Sequence, residues 1–151
     1  MALLDKTIDE MLQSLAGRHH VKVPPWEWTL RNSHYKPVLN VINVSDYYET
    51  VLRLRPEYKD DVMKLLSWEI AHIFKHYIDE MRFEAGDPKG SRILPHVERK
   101  RWLPGIPGFK DAMPRFEEEA DMYAMRVTGM DSYQWERLKH DLWDRTYRML
   151  L

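Results

Sequence analysis

The chain has 151 residues, a formal net charge of −1 and no cysteine. That length suits one domain with a real core. The balanced charge offers no general attraction to nucleic acid, and the missing thiols exclude disulfides, thiolate zinc sites and cysteine nucleophiles. No apolar run approaches the roughly 18 residues that cross a bilayer, and Met1 to Asp5 lacks the basic-then-apolar order of an export signal, so a cytoplasmic protein is expected.

Leu4, Ile8, Met11, Leu12 and Leu15 recur at helical spacing and predict an amphipathic helix over residues 3 to 16. Val21 to Pro37, with Pro24-Pro25 and the alternating Trp26 and Trp28, reads as an extended segment or an edge strand. Val38 to Val44 and Thr50 to Leu54 are rich in β-branched residues, and Ser45-Asp46 between them supplies turn chemistry. Together they predict two neighbouring antiparallel strands. Pro56 opens a long helix, at a position where its missing N–H costs nothing, that runs to about Arg82 or Phe83. Residues 86 to 110 hold four Pro and four Gly among basic residues and predict a long loop. A further helix follows from Pro114 to near Gly129. A last one is capped by Asp131 or Ser132 and carries Trp135, Leu138, Leu142 and Met149 on one face. The order predicts an α+β fold in one domain over residues 1 to 151, with a long helix on a small antiparallel sheet. Six Trp and nine Met point to a thick aromatic core.

At 100° per residue, Val62, Leu65, Leu66, Glu69, His72, Ile73, His76 and Tyr77 share one side of the long helix. Three polar residues thus stand in the middle of an apolar face. A carboxylate there is costly unless it is paired, hydrogen-bonded or metal-bound. Two imidazoles one turn apart beside a carboxylate suit a metal site or a proton relay. The later segment Phe116-Glu117-Glu118-Glu119-Ala120-Asp121-Met122-Tyr123-Ala124 sets Glu117 and Asp121 one turn apart, on the side of Ala120 and Ala124. Small residues there let two helices approach closely. Glu118 and Glu119 read as solvated charges near a helix start.

Ser67-Trp68-Glu69-Ile70-Ala71-His72-Ile73-Phe74-Lys75-His76 and Glu117 to Ala124 together resemble the ImmA/IrrE-like, gluzincin-type zinc metallopeptidases. Their motif, H-E-x-x-H followed by a further His, is matched here except at its first His, where Trp68 stands; their E-x-E-A-N/D element is matched by the second segment. The resemblance covers about residues 38 to 130. It implies a minimal metallopeptidase-like domain with Glu69 as general base, His72 and Glu117 as zinc ligands, and Asp121 as the acid that orients the first ligand. An indole N–H only donates and cannot bind zinc. Three arrangements follow. The site is dead, with the Trp68 N–H donating to Asp121; or a shifted set of His72, His76 and Glu117 holds zinc; or His96, His34, His19 or His20 supplies the missing ligand. The chain is thus expected to be a degenerate, non-catalytic binding or regulatory module. The alternative is an active zinc metallopeptidase using His72, His76 and Glu117 with Glu69 as base. Proteins of this type occur in phages and other mobile elements and act on or beside transcriptional repressors, which implies a protein partner or peptide substrate. The basic stretch Lys89 to Lys110, with Trp102 and Phe109, is the candidate contact surface. Nucleic acid is a minor candidate for the same stretch.

Overall fold

The structure is a computed structural model that describes residues 2–36, 39–84 and 109–148, with side chains except at 83–84 and 109–116. The fold is α+β. Helix α1 (Asp5–His19) leads into β1 (Trp26–Thr29), β2 (His34–Lys36) and β3 (Val41–Ser45). Helix α2 (Tyr47–Leu54) and a 3-10 turn (Pro56–Tyr58) precede the long α3 (Lys59–Glu84); α4 (Phe109–Thr128) and α5 (Ser132–Arg148) close the order. The basic stretch lies outside the described residues except for Phe109 and Lys110, which begin α4 five residues ahead of Pro114. His96, Trp102 and Met149 also lie outside them.

The sheet is mixed rather than antiparallel. Its order is β1-β3-β2, with β1 parallel to β3 (Trp26 opposite Ile42) and β2 antiparallel to it (Lys36 opposite Val41). Asn40 takes a positive φ of 53° ahead of β3, where an Asn is tolerated, and its side chain accepts a 2.7 Å hydrogen bond from the Tyr35 hydroxyl. Both edges of β3 are thereby used, and β3 has none left to pair with a strand at Thr50 to Leu54. That segment is helical instead. Tyr48, Val51 and Leu52 share one buried stripe, while Leu54 points outward. A run as short as Thr50-Val51-Leu52-Arg53-Leu54 fits either period, and tertiary pairing decides between them.

Helix α3 packs against every other described helix and against β2 and β3. Over 26 residues it extends about 39 Å. Val62, Leu65, Leu66, Phe74 and Ile78 are buried along it, and each contributes about 2 kcal/mol of transfer free energy. Around this axis the ends of the elements are fixed by polar contacts. Asp5 and Asp9, one turn apart on α1, accept the indole N–H groups of Trp28 (2.8 Å) and Trp26 (2.6 Å), two apart on β1. Gly129 ends α4 at φ 79°, a conformation costly for other residues, and its N–H bonds the Met125 carbonyl. Asp131 and Gln134 then form a reciprocal capping box: the Gln134 N–H donates to Asp131 Oδ1 at 2.7 Å and the Asp131 N–H to Gln134 Oε1 at 2.9 Å.

The start of α1 is held from a distance. The N–H groups of Leu3 and Leu4 donate to the two oxygens of the buried Glu49 at 2.8 and 2.9 Å, and Arg53 pairs with the same carboxylate at 3.0 Å. A negative group at a helix N-terminus is favoured by the helix dipole. Glu49→Ala is expected to lower unfolding stability by about 1–3 kcal/mol in urea titrations, through two orphaned N–H groups and a lost terminal charge. An unchanged midpoint would contradict this role.

Candidate metal centre

Helix α3 places Glu69, His72 and His76 on its core-facing side, and α4 crosses that side. Ala120 and Ala124 are fully buried, so the two helices meet closely. The approach brings Glu117 between the imidazoles: one oxygen lies 3.0 Å from His72 Nε2 and the other 3.1 Å from His76 Nε2. Asp121, one turn further along α4, stands 2.8 Å from His72 Nδ1. His72 is thus set between two carboxylates. The resemblance implied that Asp121 orients a ligand at position 68; it faces the His72 ring instead.

Burial alone would pull the His72 pKa down, but the contact and charge of Glu117, together with Asp121, outweigh it and raise the imidazole above 6.5. The two imidazoles hold Glu117 far below the usual carboxylate range. Asp121 is raised, because burial and the nearby Glu117 and Glu136 carboxylates outweigh the pull of His72.

Trp68 occupies the position of the motif's first ligand, and its indole N–H does not reach Asp121. It donates to the Met130 carbonyl at 2.9 Å, while the ring stacks on Trp135 (4.6 Å between centroids) and on His72 (5.4 Å). The reason is geometric: the capped turn between α4 and α5 delivers both the carbonyl and Trp135 to that ring, and Asp121 is engaged elsewhere. Trp68 is 3 % exposed and belongs to the core.

Glu69 is buried and accepts a 2.9 Å hydrogen bond from the Ser33 hydroxyl. Ser33 itself accepts from the Ser45 N–H at 2.7 Å, so its proton is directed at the carboxylate. Ser33 escaped the sequence reading. It stands in the polar break between β1 and β2, 36 residues from Glu69, and no local pattern connects them. Tyr48 lies near as well. Burial, and then the Glu69 carboxylate, push its hydroxyl well above the usual range, although it makes no hydrogen bond of ordinary geometry. Ser33, Glu69, His72, Glu117 and Asp121 line one cavity of about 270 Å³.

The donor set suits a divalent cation. His72, His76 and Glu117 can each offer one atom, all within 4.8 Å of one another. A tetrahedral zinc with donors at about 2.0 Å keeps them about 3.3 Å apart. The two short contacts at Glu117 use different oxygens of its carboxylate, so for one ion to take one atom from each residue the wider pairs, within 4.8 Å, must close by about an ångström. His76 Nε2 and His72 Nδ1 are moreover buried without a hydrogen bond of acceptable geometry despite their close carboxylates, so their lone pairs or protons point off those lines. A metal ion, zinc among them, is possible here on donor chemistry. Among the described residues no other His or acidic side chains converge in this way. His34 bonds the Asn32 carbonyl through Nδ1, His19 pairs with Tyr123, and exposed His20 follows α1; none joins the group.

A folded-state imidazole pKa above 6.5 adds stability that is complete below that value and lost as pH rises through the raised one. Metal-free protein should therefore lose urea resistance on the alkaline side of 6.5, relative to His72→Gln. Parallel pH profiles for the two proteins would contradict the pairing. Comparison with protein-family models, with curated proteins and with solved structures finds no match to this chain.

Proposed function

We propose that the chain is a degenerate zinc-metallopeptidase-like protein that keeps a metal site, displaced one turn along α3, and uses it for binding rather than hydrolysis. The observation that carries this is the state of position 68. Its side chain is a core indole, committed to Met130 and Trp135, while His76 turns toward Glu117 in the place of a second imidazole. His72, His76 and Glu117 would hold the ion. Bound there, it supplies a fixed positive charge with an open position that a partner's carboxylate or imidazole can fill.

The shift separates the ion from the base. In H-E-x-x-H the Glu lies between the two ligating His in the chain, whereas Glu69 precedes both His72 and His76, about one helical turn or 5 Å from the nearer. Ser33 also occupies one of its oxygens. A protein partner, a transcriptional repressor in proteins of the resembled type, fits this use better than a substrate. The cavity shared by Glu69, His72 and Glu117 favours the second reading, a zinc peptidase with Glu69 as base.

Untagged protein is expected to retain about one zinc per chain on dialysis, as three-ligand sites do, and His76→Ala or Glu117→Gln to lose it by elemental analysis. The zinc-loaded protein is expected to leave a peptide library intact. Zinc-free parent protein would overturn the retained site. Hydrolysis abolished in Glu69→Gln would replace the binding role with the peptidase.

A further inference from the structure

Where α1, α3 and α4 meet lies a second cavity of about 820 Å³, which shares no lining residue with the one at Glu69. Its wall brings together Arg18 from α1, Lys75 and Arg82 from α3, and Arg126 from α4. Lys75 is closed off by Asp79 at 2.5 Å. The three guanidiniums that remain face one lining carboxylate, Glu119, so the cavity keeps an excess of positive charge.

A chain of hydrogen bonds adds a neutral donor. The Arg82 guanidinium can only donate, so at 3.5 Å it meets the lone pair of His19 Nδ1. His19 then carries its proton on Nε2 and donates to the Tyr123 oxygen at 2.8 Å. Burial and the charges of Arg82, Lys75 and Arg18 hold the imidazole below its ordinary value, in keeping with this neutral tautomer. The Tyr123 oxygen is thereby used as an acceptor, and its own proton is left for a further acceptor. Tyr123 lines the cavity, and Ile78, Met122 and Val127 supply an apolar wall beside it.

We infer that this cavity binds a small phosphate-bearing molecule, its phosphate held by Arg18, Arg82 and Arg126 and by the Tyr123 hydroxyl, its organic part against the apolar wall. Planar guanidiniums match phosphate oxygens in pairs, and a dianion balances the excess charge better than a single carboxylate. The volume lies within the range of small-ligand sites. The site is independent of any metal at His72 and His76.

The test is calorimetric titration with inorganic pyrophosphate at fixed ionic strength. Saturable binding is expected. Tyr123→Phe, which keeps the ring, should weaken it about tenfold, the effect of one hydrogen bond to a charged group. Arg18→Gln combined with Arg126→Gln should abolish it; both side chains are exposed, so the fold and its circular dichroism should be unchanged. His72→Ala should leave binding as it is. No binding, binding that survives the double substitution, or equally tight binding of a short polyglutamate would overturn the assignment.

Discussion

A helix that runs through the middle of a small domain has little surface to give to solvent, yet α3 carries Glu69, His72 and His76 on the side it must bury. A buried polar group without a partner costs several times what a buried methyl contributes. The neighbouring elements are arranged to meet that cost. The break between β1 and β2 brings Ser33 to Glu69, and α4 brings Glu117 and Asp121 to the imidazoles. Ala120 and Ala124 let α4 come close enough to do so. The packing of α4 on α3 and the chemistry of the site are therefore one requirement.

Trp68 shows what a buried indole on α3 demands of its neighbours. A large buried indole needs an acceptor for its N–H and a flat surface for its ring. Gly129, in its left-handed conformation, turns the chain so that the Met130 carbonyl supplies the first, and the capping box sets the start of α5 so that Trp135 supplies the second. Trp135 in turn donates to the Leu65 carbonyl on α3 at 3.0 Å, which ties α5 to the central helix a second time.

Much of this was legible in the sequence. The long period of α3, the helix stop at Gly129, a cap at Asp131 or Ser132 and the shared side of Glu117, Asp121, Ala120 and Ala124 all follow from local rules, because each involves residues within a few turns of one another. Thr50 to Leu54 was not legible. Its helical state depends on β1 and β2 having taken both edges of β3, a fact of pairing between distant segments. The same holds for Ser33, and for the Trp68 N–H, whose partner lies 62 residues away. The facing of Asp121 to His72 rather than to position 68 needed the crossing of two helices to be known.

The ring of His72 lies nearly parallel to that of Trp68, 20° apart, and Trp68 is itself stacked on Trp135. A protonated imidazole over an indole is drawn to its π face, an attraction the neutral ring lacks. Trp68 therefore does more than fill the core: it joins the His72 ring to the packing of α5 on α3. A change of charge at His72 thus reaches the contact between α3 and α5 through two stacked rings.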